Sequence, residues 1–352
     1  CIRDRSKFGP KNRWGYFPSA SVGWRILEED FAIGLRKVFH ELKIRASYGV
    51  TGNDQIGNYL WLQTYTPSKS PIIAEGDTLL VYKPNGSNPE IRWEKTESYN
   101  VGLDIGFFKG RLTSSIEFYR KNVSDLLYEV NIPAGTNYSS RLIKNIGAVT
   151  NQGVEVIVNA VPIDRTPYQK NGFRWNLMYN IAYNQNKITK LDEKSGGELN
   201  NFLGYPVKFV RFSPTSIQKV GLPVDAFYTY EAKTDANGKL VLDSDRDGIQ
   251  NDIEMYKDQN KDGIINENDK KVTGKPNPDL IMGLTSSMSW KNFDFQFTLK
   301  AHTGNSVFNA VATQGYFDNI YLNDAFNNLH RSVSETKYNA AQYLSCLLYT
   351  SP

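Results

Sequence analysis

Tyr99-Asn100-Val101-Gly102-Leu103-Asp104-Ile105-Gly106-Phe107 is followed by Phe108-Lys109-Gly110-Arg111 and then by Leu112-Thr113-Ser114-Ser115-Ile116-Glu117-Phe118-Tyr119. In both runs almost every second residue is apolar, and the residues between are small or polar. This is the period-two signature of a strand with one apolar and one wet face. Phe108 to Arg111 reads as a tight turn, so the stretch is predicted to be a hairpin of two long strands.

Working outward, the same alternation returns. Leu42, Ile44, Ala46, Tyr48 and Val50 alternate with Lys43, Arg45, Ser47 and Gly49; Phe173, Trp175, Leu177, Tyr179, Ile181 and Tyr183 alternate with Arg174, Asn176, Met178, Asn180 and Ala182. Leu280 to Trp290 leads through Lys291-Asn292 into Phe293, Phe295, Phe297, Leu299 and Ala301. Weaker copies run from Tyr16 to Trp24 and from Val154 to Ala160. These strands exceed the usual length of about 5 to 6 residues and approach what a tilted membrane strand needs. Trp93, Phe107, Phe108, Tyr119, Phe173, Tyr183, Trp290 and Phe293 stand where an interfacial aromatic girdle would place them. Long polar stretches, Lys69 to Pro89, Asp164 to Gly172, Asp192 to Arg211 and Lys233 to Pro278, separate the strands. Asp324 to about Leu344 reads as a short helix. Periodicity alone leaves two all-β folds open, a transmembrane β-barrel and a soluble β-sandwich.

Composition removes other classes. The 352 residues carry 41 Lys+Arg against 37 Asp+Glu, a net charge of +4, so charge alone names no partner and does not argue for nucleic acid. Mean hydropathy is −0.49, and no run approaches the 18 or so apolar residues of a spanning helix, which excludes a helical membrane protein but not a barrel. Phe, Tyr and Trp make up 13% of the chain, a load that needs a core, a binding surface or a membrane interface. Cys1 and Cys346 stand near the two ends and His40, His302 and His330 are scattered, so neither a disulfide framework nor a zinc site is expected. His40-Glu41 opens like the zinc-protease motif, but Ile44 occupies the second histidine's place. With no phosphate loop, dinucleotide fingerprint or nucleophile elbow, no enzyme is expected. Residues 1–6 and 324–352 read as non-native or truncated ends around a segment 7–323, as in a fragment of a longer protein.

One loop carries chemistry. Asp243, Asp245 and Asp247 precede Gly248, with Glu254 at the twelfth position, the ligand spacing of a calcium loop. A second match follows in Asp258, Asn260, Asp262, Gly263 and Asp269, and the carbonyls of Ile249 and Ile264 would complete the two shells. Met255 to Lys257 is too short for a helix between them, so the expectation is a structural Ca²⁺ loop without paired helices, the alternative being a solvated Asp/Asn/Gly turn.

An ordered series of segments resembles the SusC/RagA group of TonB-dependent outer-membrane transporters of Bacteroidota. It runs through Arg13-Trp14-Gly15-Tyr16-Phe17-Pro18-Ser19-Ala20-Ser21-Val22-Gly23-Trp24-Arg25, Leu42 to Asn53, Asn88 to Thr96, Asn145-Ile146-Gly147 and Asn151-Gln152-Gly153-Val154-Glu155. It continues through Val220-Gly221-Leu222-Pro223, Phe227 to Tyr230, Asp258 to Gly263 and Gly274-Lys275-Pro276-Asn277-Pro278. The resemblance implies an antiparallel transmembrane barrel of the 22-stranded class with long extracellular loops, of which this chain is a C-terminal part without the plug domain. It implies an importer of oligosaccharides or oligopeptides in the bacterial outer membrane, contacting lipid, a SusD-like lipoprotein and, through the missing N-terminal part, a TonB complex. Inward polar positions such as Asn176, Asn180, Asp294 and Gln296 would then face lumen or plug. Trp61, Tyr65 and Tyr82 are sugar-stacking candidates, with girdle or loop packing as their commoner role. The competing reading is a secreted or surface-attached calcium-binding, glycan-binding adhesion protein.

Overall fold

The computed structural model describes residues 2–4, 7–67, 72–74, 77–79, 82–131, 138–139, 141–165, 172–191, 198–201, 216–231, 233–234, 236, 256–308 and 348–350. The first calcium-type loop with Asp243, Asp245, Asp247, Ile249 and Glu254, and the expected helix from Asp324, lie outside the described residues. The chain forms two units, Cys1–Lys194 with Met282–Lys300, and Ser195–Ile281 with Ala301–Pro352.

The alternating segments are strands: β1 Ser19–Arg25, β2 Phe39–Asn53, β3 Glu94–Phe107, β4 Leu112–Asn131, β5 Arg141–Asp164 and β6 Arg174–Lys190. The short strands β7 Glu198–Asn201, β8 Ser216–Lys219, β9 Ala226–Tyr230 and β10 Lys270–Gly274 follow. Then come β11 Leu280–Trp290 and β12 Phe293–Thr303. One sheet has the order β12-β11-β6-β5-β4-β3-β2-β1, a meander interrupted between β6 and β11. The insertion carries a second sheet, β7-β8-β9-β10.

Register explains why one face is greasy. Val22 pairs with Ala46, Ala46 with Val101, Val101 with Phe118, Phe118 with Val154 and Val154 with Tyr183, an apolar row across six strands. Trp24, Ile44, Leu103, Ile116, Val156 and Ile181 form the next such row. Directly opposed residues share a face, so the intervening rows, such as Ser21, Ser47, Asn100, Tyr119, Gly153 and Asn184, make the other face polar. In a sandwich the apolar face would be buried against a partner sheet. Here Val101 is 54%, Phe118 48% and Tyr183 47% exposed. A contiguous apolar face of this size calls for a non-aqueous neighbour, which favours the barrel.

The connections are asymmetric. At one end β3 turns into β4 through Phe108–Gly110 and Arg111, and β11 into β12 through Lys291 and Asn292. Phe108, Lys109 and Lys291 adopt positive φ there, as tight hairpin turns require. At the other end β2 reaches β3 through residues 54–93, and β6 reaches β11 through 191–279. The 26–38 connection and the 165–173 connection, the latter expected among the long loops, share the end of the tight turns, but the two far longer connections share the other end, the bias of outer-membrane barrels.

The long-loop end has its own core. Phe8, Phe17, Ile91 and Trp93 are buried together, with Val50, Ile56, Leu60, Trp61, Leu127 and Ile143 packed around them. Trp93 lies 4.8 Å from Phe8 and 5.2 Å from Phe17, centroid to centroid. Gly52 leaves the space, because a Cβ there would stand 2.8 Å from Trp93 Cε3. Two of the expected girdle aromatics are therefore elsewhere. Trp93 is 3% exposed in this core, and Tyr119 lies on the polar face, donating to Asn184 Oδ1 at 3.0 Å over Gly153. Asn88 Nδ2 donates to the Ile143 carbonyl and Arg92 pairs with Asp125, fastening the 54–93 connection to the β4–β5 hairpin. Trp93→Ala in the full-length protein is expected to destabilise it by about 3–5 kcal/mol, read as a lower urea midpoint for loss of the heat-modifiable folded form.

Candidate functional site

On the polar face a side-chain network crosses three strands. Arg45 of β2 donates from Nε to Asp104 of β3 at 3.0 Å, from Nη1 to Glu117 of β4 at 2.8 Å and from Nη2 to Ser115 Oγ at 2.9 Å. Ser115 in turn donates to Asp104 at 2.8 Å. The planar guanidinium matches this fork of acceptors. It can lie flat across the sheet because Gly102 is beneath it, where a Cβ would be 2.8 Å from Arg45 Cζ. Alternation alone puts Arg45, Asp104 and Glu117 on one face, but only the register brings them together. Of the expected inward residues, Asn176, Asp294 and Gln296 line one concavity with Arg174 and Ser287. Asn180 lies over Gly283 of β11.

The second acidic loop is held by its own hydrogen bonds. Asp258 accepts from the N–H of Lys261 at 2.6 Å and of Gly263 at 2.8 Å, and Asp262 accepts from the N–H of Ile264 at 2.8 Å. Asn260 accepts from the Asp262 N–H at 3.1 Å. Gly263 takes φ +83°, a conformation open to glycine at the sixth position of the motif. Asp269 closes the loop, accepting from the N–H groups of Asn266 at 2.8 Å and Gln259 at 2.9 Å. These bonds, the one from Asn266 foremost, hold its carboxyl below the usual range. Among the described residues no group of three or more His, Cys, Asp or Glu converges as a metal cluster. The donor chemistry nonetheless fits a hard cation, since the Asp258, Asn260 and Asp262 oxygens keep further lone pairs and the Ile264 carbonyl lies on the same loop.

A residue that the motif does not contain secures both stems. Glu231, just after β9, accepts from Lys271 Nζ at 2.5 Å, Lys257 Nζ at 2.9 Å and Gln259 Nε2 at 3.2 Å. Lys257 and Gln259 flank the loop's first position and Lys271 follows its last. Glu231 lies far from them in sequence, so spacing does not reveal it; its one signal is its place at the end of the Phe227 to Tyr230 segment.

The candidate aromatics separate. Trp61 packs into the Phe8–Trp93 core. Tyr65 and Tyr82, 62% and 59% exposed, sit on a two-stranded ribbon in which Tyr65–Pro67 pairs with Tyr82–Pro84.

The family model "TonB dependent receptor-like, beta-barrel" matches residues 2–240. The chain belongs to this family. TonB-dependent receptor SusC of Bacteroides thetaiotaomicron is 38% identical over 326 residues, covering 89% of this chain and 31% of that protein. TonB-dependent receptor P26 of Formosa agariphila is 32% identical over 323 residues, covering 89% and 30%. Among solved structures, that of the RagAB peptide transporter superposes with a TM-score of 0.67 at 24% identity, covering 89% of this chain and 32% of its own. The chain thus spans about a third of the length of the proteins it matches. A TonB-dependent receptor-like barrel is an outer-membrane fold, so the apolar rows through Val101 and Leu103 face lipid and the Arg45 face is turned away from it. This family assignment displaces the soluble adhesion protein.

Lys271 first, then Lys257, hold the Glu231 carboxyl down to about 2 from an ordinary 4.5. A carboxyl depressed on folding contributes stability that is complete above its unfolded pKa and is lost as pH falls through the folded one. Hydrogen-exchange protection at Lys257 and Gln259 is therefore expected to hold down to pH 4.5 and to fall toward pH 2. In Glu231→Gln the protection is expected to be low at neutral pH already and to change little with acid.

Proposed function

We propose that the protein to which these residues belong is an active importer of oligosaccharides or oligopeptides across the outer membrane, powered through a TonB complex and working with a SusD-like lipoprotein. The observation that carries this reading is the sheet itself: long strands with a lipid face, a charged and amide-rich opposite face and long connections at one end. In this reading the chain supplies wall, not catalysis. The apolar rows hold it in lipid, the Arg45 network ties three adjacent strands on the inward face, and the long-loop end meets ligand and lipoprotein. The relatives support the class, being named TonB-dependent receptors, and the RagAB structure is described as a peptide transporter. Deleting the gene in its host is expected to abolish growth on at least one oligosaccharide or oligopeptide source, with restoration by the intact gene and not when the proton gradient is collapsed. Unchanged growth across a broad panel of both would overturn the reading.

We propose further that the Asp258–Asp269 loop takes up calcium as a structural ion, on the strength of its oxygen-donor spacing and its preformed turn. Extracellular calcium loops work at about 10⁻⁴–10⁻³ M. Millimolar calcium is expected to slow limited proteolysis at Lys257 and Lys261 relative to chelator, and equal cleavage would count against a bound ion.

A further inference from the structure

Residues 54–93 form the connection at the long-loop end, and they carry a surface that the wall does not use. In the ribbon of Tyr65–Pro67 and Tyr82–Pro84, Tyr65 opposes Pro84 and Pro67 opposes Tyr82. Opposed residues share a face, as do residues two apart on one strand. Tyr65, Pro67, Tyr82 and Pro84 therefore lie on one face, while Thr66 and Lys83 lie on the other. The first face carries no charge. Both tyrosines are more than half exposed, and among the described residues neither has a hydrogen-bond or ring partner.

The ribbon is firmly rooted. Asn85 Nδ2 donates to Thr64 Oγ1 at 2.9 Å, Gln63 Nε2 to the Asn85 carbonyl at 2.6 Å and Ser87 Oγ to Gln63 Oε1 at 3.1 Å. The Asn88 N–H donates to the Leu60 carbonyl at 2.7 Å, and Leu60 and Trp61 pack into the Phe8–Trp93 core. The backbone that carries the two rings and two pyrrolidines is thus fixed at its stem before any ligand arrives, which leaves less conformational entropy to be lost on binding.

We infer that this Tyr-Pro face is a binding platform for neutral oligosaccharides, which deepens the importer reading and rests on it. A pyranose ring presents an apolar C–H face to an aromatic ring and equatorial hydroxyls around its rim. Two uncommitted tyrosines offer ring faces for the first and phenolic O–H groups for the second. A charged sugar or an acidic or basic peptide would find no counter-charge on this face. Tyr65 and Tyr82 sit on diagonal positions of the ribbon, so adjacent sugars of one chain can each meet a ring.

The test is titration calorimetry of the full-length protein, in detergent with its lipoprotein, against malto-, cello-, xylo- and mannohexaose and a proline-rich peptide. Tyr65→Ala and Tyr82→Ala are each expected to weaken binding of one hexaose by about tenfold, roughly what one aromatic contact contributes. Lys83→Ala, on the reverse face of the same ribbon, is expected to leave it unchanged. Heat-modifiable migration checks that each variant is folded. A hexaose that binds folded Tyr65→Ala and Tyr82→Ala as tightly as the wild type overturns the platform and leaves the importer standing. Binding of the peptide alone, or of none of the probes, overturns the platform too, whereas the importer reading itself falls only on unchanged growth of the deletion strain across the oligosaccharide and oligopeptide panel.

Discussion

A backbone that crosses hydrocarbon has no water to turn to, so each N–H and C=O of a membrane strand must be met by a neighbouring strand. In β2 to β6 this is done by long, nearly unbroken registers, with irregularities confined to a few sites such as those after Val123 and Ala160. Once the ladder is fixed, the faces follow, because a one-residue slip would turn every side chain over. Val101, Phe118 and Val154 can sit against lipid only if Asn100, Tyr119 and Gly153 sit on the other side. The polar network is a by-product of the same register, since it is what delivers Asp104 and Glu117 to one arginine.

Small residues make that polar face workable. Gly102 beneath Arg45 and Gly153 beneath Tyr119 let large side chains lie along the sheet instead of standing away from it. At the long-loop end Gly52 does the same for the Trp93 core. Side chains can therefore lie across the wall, where Arg45, Asp104, Ser115 and Glu117 satisfy one another within the sheet.

The central hairpin and β2, β6, β11 and β12 were legible in the sequence because each has to keep one face apolar over its whole span, and alternation records that directly. β1 and β5 were fainter: β1 is short, and β5 runs on past the lipid-facing rows through Arg141 to Val149, where Ile143 packs on the Phe8–Trp93 core and Ile146 is buried, so no lipid face has to be kept apolar. Trp93 and Tyr119 show the limit of residue type as a guide. An aromatic near a strand end satisfies the girdle pattern whether it meets lipid, a core or a neighbouring amide, and which it meets depends on a glycine on another strand. The turn at Asp258 to Asp269 could be read from spacing because its bonds are local. Glu231 could not, since the charge that holds the stems comes from a strand end far away in sequence. Among Trp61, Tyr65 and Tyr82, packing on the Phe8–Trp93 core and the pairing of two short strands, both invisible to composition, separate the half-buried ring from the two exposed ones.

The chain between β6 and β11 carries the second sheet, β7 to β10, while β6 and β11 remain neighbours. Strand neighbours lie about 5 Å apart, and β6 and β11 keep that spacing whatever chain runs between them. The cost of closing a loop grows only with the logarithm of its length, so the size of what hangs there is nearly indifferent to the wall. Such a junction is a natural place for recombination, where one receptor can trade its inserted sheet for another's without renegotiating the pairing of β6 with β11.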